Sequence, residues 1–222
     1  MNIFHRLLLQ AKKPAGHTGT IIAWLMNFGH SNMTNWGLNF LKVKDDDRIL
    51  DIGCGGGRTI NKLIKMTKKG KVYGIDYSDV SIKVSSRLNR DYIKQGRVQI
   101  QKSGVSSLPF PDNHFDIITA IETYFLWPNL ENDMREVLRV LKPEGKLLIL
   151  SEIYKSNKHR HIVEIWSNAA KTNIDEIMHF QTKDEFEQLI ISTGYENTMI
   201  YEKVDKGWIC GIGTKPLTKK GD

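Results

Sequence analysis

The sequence predicts an α/β fold: an open, mostly parallel sheet with an antiparallel last strand and helices on both faces. Three observations carry it. Short apolar strands alternate with segments of helical spacing, a glycine cluster joins the first strand to the first such helix, and two strand-like segments close the chain around Asp205-Lys206-Gly207. The 222 residues, 40% hydrophobic and 26% charged with a mean hydropathy of -0.36, suit one domain of this kind. A disordered or fibrous chain is excluded.

Taken in order, Arg48 to Ile52 is the first strand, and the helix after its glycines places Ile60, Leu63 and Ile64 at helical spacing. Lys71 to Asp76 is the second strand, followed by a helix to Leu88 with Ser78 as N-cap. Val98 to Gln101 is the third strand, and Phe115 to Ile121 the fourth, after the turn Pro111-Asp112-Asn113. A helix from Leu130 to Leu141 carries Met134, Val137, Leu138 and Leu141 on one face. Lys142-Pro143-Glu144-Gly145 stops it before a fifth strand, Lys146 to Ser151. Thr182 and Glu185 form a capping box for a helix ending near Gly194, and Met199 to Val204 with Trp208 to Gly213 makes a closing antiparallel hairpin. Residues 1–44 and 155–181 stand outside this alternation. They are expected to cover the carboxyl ends of the strands as a helical lid segment and a lid insertion, with 45–222 as the ligand-binding domain.

The net charge of +7 sits at the ends. Arg6, Lys12 and Lys13 have no acid among the first 20 residues, and five lysines face two aspartates in the last 20, which leaves +1 for everything between. A basic groove on the folded body is therefore not indicated, and nucleic acid is a disfavoured partner. The longest N-terminal apolar stretch, Ile21 to Met26, is far too short to span a bilayer. The opening residues lack the long apolar core of a secretory signal, so a cytoplasmic protein is expected. Cys54 and Cys210 are too few for a disulfide framework and read as structural thiols.

Asp51-Ile52-Gly53-Cys54-Gly55-Gly56-Gly57 turns a strand into a helix. Glycines there let the backbone approach a ligand, and the free N–H groups of the helix start face it. A dinucleotide fingerprint needs a further glycine where this chain has Arg58, which disfavours NAD. Asp76 ends the next strand 19 residues after Gly57, where an acid accepts hydrogen bonds from ribose hydroxyls, and Tyr77 beside it is placed to pack on a base.

These residues resemble a family. DIGCGGG from Asp51, YGID from Tyr73, LPFPDNHFD from Leu108 and EVLRVLKPEGKLLI from Glu136 are similar to class I S-adenosylmethionine-dependent methyltransferases, above all the small-molecule group containing the ubiquinone/menaquinone C-methyltransferases. The likeness covers residues 46–151 and implies a Rossmann-like sheet with S-adenosylmethionine as cofactor. It implies that Gly53 and Gly55 back the methionine moiety, that Asp51 holds its amino group and that Asp76 binds the ribose. Cys54 in the loop and Ile121 at the fourth strand's end are further expected contacts. Many relatives carry an Asp toward the adenine amino group where this chain has Gly104, so adenine falls to backbone groups near Val105 or to the Ser106 hydroxyl. The Asn-Pro-Pro-Tyr type motif of adenine-amine methyltransferases is absent after the fourth strand.

Methyl transfer from a sulfonium needs alignment and no covalent nucleophile. The candidate catalytic residues are Glu122, His30 and Tyr124. Glu122 is a base or an anchor for the methionine end, and His30 either closes over the sulfonium or packs a helix end. Tyr124, with Trp127, is expected to face the crevice, where its ring stabilises dispersing positive charge or serves as pocket wall. His159, His161 and Glu164 have only loose metal-ligand spacing, and no metal is expected. Trp24, Met26, Phe28, Met33 and Trp36 form either a flap over an apolar substrate or sheet packing, and the basic first helix allows transient contact with a membrane surface. The expected partner is a small-molecule acceptor. An RNA-modifying methyltransferase and a non-catalytic cofactor-binding module are the alternatives.

Overall fold

The computed structural model describes residues 31–152, 154, 168 and 178–217. Their elements are α1 (Ser31–Leu38), β1 (Arg48–Ile52), α2 (Arg58–Met66), β2 (Lys71–Asp76), α3 (Asp79–Leu88), α4 (Arg90–Lys94) and β3 (Val98–Lys102). After these come β4 (Phe115–Ile121), a 3-10 turn (Tyr124–Leu126), α5 (Leu130–Val140), β5 (Leu141–Ser151), α6 (Lys183–Ser192), β6 (Glu196–Lys203) and β7 (Trp208–Thr214). The strands form one sheet ordered β3-β2-β1-β4-β5-β7-β6, with β1 to β5 parallel and β7 antiparallel to both neighbours. The chain reverses its strand order beside β1, the position where open α/β sheets hold ligands.

Alternation along the strands buries both faces. Ile49, Val72, Ile117 and Leu148 point to one side, where α2 contributes Ile60, Leu63 and Ile64 and α1 contributes Met33 and Leu38. Leu50, Ile118, Leu147 and Ile149 point to the other, against Met134, Val137 and Val140 of α5 and Phe186 and Ile190 of α6. The described part of the N-terminal segment is thus sheet cover: Met33 is fully buried, Trp36 packs edge-on to Phe40, and Phe40 stacks on Tyr201 at 3.9 Å. Trp24, Met26 and Phe28 lie outside the described residues, as does most of 155–181.

One element differs from expectation. The helix α5 ends at Val140, and Leu141 already pairs with Phe115, so Lys142 to Gly145 bulges within β5 instead of separating helix from strand. Glu144 takes a left-handed φ of 63° there, and its N–H donates to Lys215 O. The closing hairpin forms as expected, and its second strand β7 pairs with β5, leaving β6 at the edge. The expected local signals hold elsewhere. Ser78 caps α3 by accepting from Ser81 N–H, and Thr182 and Glu185 complete the capping box of α6.

Replacing Thr182 by Ala removes an acceptor from the exposed start of α6. The expected loss is about 1 kcal/mol of stability, read as a lower urea midpoint with unchanged slope.

Candidate cofactor site at the carboxyl edge of the sheet

The register sets this edge. Ile52 pairs with Ile75 on one side and Ala120 on the other, so the glycine loop, Asp76 and Ile121 all leave the sheet at one level. The Asp76 carboxylate accepts from Gly55 N–H at 3.0 Å and from Ser78 N–H at 2.8 Å, joining the loop before α2 to the turn before α3. Cys54 N–H donates to Ile75 O at 2.9 Å, and Ser103 N–H donates to Asp76 O at 3.1 Å. These bonds gather Asp76, Tyr77, the glycine loop and the Gly104–Ser106 loop in one place. Val105 is buried there, while Gly104 and Ser106 are exposed and Tyr77 is 37% exposed.

The loop glycines do different work. A Cβ on Gly57, at φ 80°, would lie 2.2 Å from Ser85 Oγ and 2.6 Å from Asn89 Nδ2, and one on Gly53 would strike Thr123. Both positions are closed from behind. At Gly55, with φ 51°, a Cβ would meet nothing nearer than Gly53 O at 4.0 Å, so this stretch of backbone faces open space. At Gly104 a Cβ would meet nothing within 4 Å. An open cradle with two acids beside it fits a cationic, hydroxyl-bearing ligand such as the expected S-adenosylmethionine.

Those acids sit in dry surroundings. Burial pushes the Asp51 carboxyl up to about 7, opposed by the Thr119 hydroxyl that donates to it at 2.7 Å and reinforced by Asp76. Burial also raises Asp76, against hydrogen bonds from Ser78 and Gly55 N–H. The Cys54 thiol is pushed well up by the same desolvation, with Asp51 and Asp76 adding to it, and it lies 3.8 Å from Ser85 Oγ. Cys54 is therefore a protonated packing residue behind the loop.

Glu122 adopts a left-handed φ of 59° and closes the end of β4 onto β5. Its N–H donates to Leu150 O at 2.8 Å, and its carboxylate accepts from Glu152 N–H. Burial raises its carboxyl to about 8, with the Glu152 charge adding to it and the hydrogen bonds from Glu152 N–H and Ser151 opposing it. The aromatics after it do not face a crevice as the sequence suggests. The 3-10 turn directs them inward: Tyr124 is fully buried against Phe186, Phe125 packs on Phe180, and Trp127 is 5% exposed. Burying three large rings outweighs lining an open cleft with them. The Tyr124 hydroxyl is buried with no hydrogen-bond partner among the described residues. His30, His159, His161 and Glu164 lie outside those residues; His179 donates its N–H to Phe125 O at 2.8 Å.

Several supporting residues escaped the sequence reading. Thr119 of β4 donates to Asp51 and Thr123, just after β4, donates to Ile52 O at the end of β1, while Ser85 of α3 and Asn89 at its C-cap back the loop. Glu136 accepts from Leu108 N–H, and Arg139 donates to the carbonyls of Leu108 and Phe110, which staples the segment after the Gly104–Ser106 loop to α5. The Glu-x-x-Arg spacing inside the EVLR motif was the available signal, since i,i+3 residues share a helix face.

Both Asp51 and Glu122 titrate higher in the folded protein than in the unfolded chain, where they lie near 4. The folded state then holds more protons between about pH 4 and 8, so stability falls as pH rises through that window, by at most about 1.4 kcal/mol per pH unit for each proton. Urea midpoints measured without cofactor at pH 5, 6, 7 and 8 should decline, and Asp51→Asn with Glu122→Gln should flatten the curve.

The methyltransferase domain family matches residues 43–194. A demethylmenaquinone methyltransferase of Lactobacillus johnsonii is 27% identical over 195 residues, 79% of each chain. A ubiquinone/menaquinone biosynthesis C-methyltransferase of Ectopseudomonas mendocina is 37% identical over 109 residues, spanning 49% of this chain and 43% of that protein. A methyltransferase solved in complex with the Haloferax volcanii Trm112 methyltransferase activator shares the fold, with a TM-score of 0.74 at 18% identity over 91% of this chain and 96% of that one. Since the family match takes in the glycine loop, Asp76 and every strand from β1 to β5, the chain belongs to the methyltransferase domain family, and its cofactor is S-adenosylmethionine.

Proposed function

We propose that the protein transfers a methyl group from S-adenosylmethionine to a small-molecule acceptor at the carboxyl edge of the sheet. The open face of Gly55, flanked by Asp51 and Asp76, is the observation that carries this reading. When bound, S-adenosylmethionine supplies a methyl group on a sulfonium, open to in-line attack. Gly53 and Gly55 back its methionine end, Asp51 takes the amino group, and Asp76 takes the ribose with the oxygen capacity left after Gly55 and Ser78. Tyr77, Val105 and Ser106 flank the adenine, Gly104 leaves room beside it, and Ile121 supplies an apolar wall.

An ammonium near Asp51 restores the ionised carboxylate that burial disfavours, so this acid discriminates for a cationic ligand. Glu122 acts as a positioning residue. Its carboxyl is engaged by Glu152 N–H and Ser151 and titrates near 8, so it is mostly protonated at neutral pH, and it sets the β4 end beside the loop. The buried Tyr124 ring supports that turn from below. The quinone-pathway names of two relatives favour an apolar aromatic acceptor.

Asp76→Ala should weaken S-adenosylmethionine binding by about 1.5 to 3 kcal/mol, as for hydrogen bonds to a charged group. Gly55→Val should do at least as much, because its side chain enters the open cradle and a β-branched residue strains the left-handed φ of 51°. Titration calorimetry reads both, and wild-type affinity in either folded variant refutes the site. With a labelled methyl donor, the protein should label a fraction of demethylated quinone analogues and small metabolites and leave bulk RNA unlabelled. Labelled RNA without labelled small molecules reverses the acceptor class, and no transfer to either leaves a cofactor-binding module.

A further inference from the structure

At the opposite end of the sheet, about 17 Å from the glycine loop by the rise of β1, lies a recess of about 290 Å³. Its lining includes Asp46, Arg48, Lys69, Lys71, Tyr73 and His114. Arg48 and Lys71 are register partners on β1 and β2, so their side chains leave the sheet on one face, and Tyr73 follows Lys71 by two residues on that face. Lys69 joins them from the turn between α2 and β2.

These cations have no partner among the described residues. Among the described residues the side chains of Arg48, Lys69 and Lys71 make no hydrogen bond and no ion pair. The nearest acids are already engaged. Asp116 accepts from Arg48 N–H at 2.9 Å and from Lys142 Nζ at 2.6 Å, and the buried Asp47 accepts from Lys44 N–H at 2.7 Å. Asp46 alone remains at the recess, against three positive charges.

The frame is also rigid. Lys69 and Gly70 N–H donate to Asp45 O at 2.6 and 2.8 Å, and Lys71 N–H donates to Asp47 O at 3.2 Å. Arg97 caps the carbonyl end of α2 through Thr67 O at 2.6 Å, and a Cβ on Gly70 would lie 2.1 Å from Asp47 O. The cations are thus presented by backbone that need not reorganise on binding. Tyr73 and His114, edge to face at 5.7 Å, supply an aromatic side to the same recess.

We propose that this recess is a second ligand site, which binds a small phosphorylated molecule through its phosphate. A guanidinium and two ammonium groups around one hollow match the charge and the several acceptor oxygens of a phosphate or diphosphate. The hollow is the size of a small ligand, and the body between the basic ends carries a net charge of only +1, so no continuous phosphate track extends from it.

The test uses the full chain saturated with S-adenosylhomocysteine, so that adenine compounds are kept from the carboxyl edge. Titration calorimetry is run with pyrophosphate, ADP, adenosine and a ten-nucleotide single-stranded RNA. Pyrophosphate and ADP should bind and adenosine should not, with a Lys69→Gln/Lys71→Gln variant at least about tenfold weaker and its S-adenosylhomocysteine affinity unchanged. Both lysines are exposed, so this variant keeps the fold. The His114 imidazole gives an independent readout. Burial, Arg48 and Lys142 hold it below its usual value against the pull of Asp116, and an anion in the recess should raise its titration midpoint by NMR. Failure of pyrophosphate and ADP to bind, binding of RNA alone, or affinity indifferent to the two lysines overturns the proposal.

Discussion

A buried carboxylate at the tip of β2 holds the carboxyl edge of the sheet together. Asp76 sits 7% exposed, where burial disfavours its charge, and the N–H groups of Gly55 and Ser78 offset that cost. The loop before α2 and the turn before α3 are thereby tied to the same strand end. Through Asp76 O the segment after β3 is tied there as well. Three connections that belong to different parts of the chain thus converge on one residue, which leaves the edge organised before any ligand arrives.

Backing completes that organisation. The glycine loop is held from behind by Thr123, Ser85 and Asn89, so its left-handed turns follow from close packing at Gly53 and Gly57 as much as from local preference. Of Gly53, Gly55 and Gly57, Gly55 is the one that faces open space. On the far side, Glu122 ties β4 to β5 in a strained backbone conformation, and the aromatic turn beneath it fills the core with Tyr124, Phe125 and Trp127. The edge is therefore closely packed behind the loop and open in front of Gly55.

Parallel strands give the two ends of the sheet different electrostatics. Asp51, Asp76 and Glu122 collect at the carboxyl end, while Arg48, Lys69 and Lys71 collect at the amino end. At the carboxyl end desolvation raises all three acids, whereas at the amino end three cations stand around one recess beside Asp46. The carboxyl end suits a cation with hydroxyls. The amino end suits an anion.

What the sequence determined by itself was local or strictly periodic. The strand-glycine-helix turn at Asp51 to Gly57, the spacing to Asp76, the Ser78 cap and the Thr182–Glu185 capping box depend on residues a few positions apart, and each has the structure its chemistry requires. Tertiary structure decided what depends on distant partners. Thr119 reaches Asp51 across 68 positions, and Leu141 begins a strand because Phe115 is there to pair with it. The strand β7 enters between β5 and β6, a choice of neighbour that alternation along a single strand does not encode. The aromatics after Glu122 turn inward because Phe180 and Phe186, more than 50 residues later in the chain, close over them. The basic recess is invisible to a charge count for the same reason: only the register of β1 with β2 brings Arg48 and Lys71 side by side.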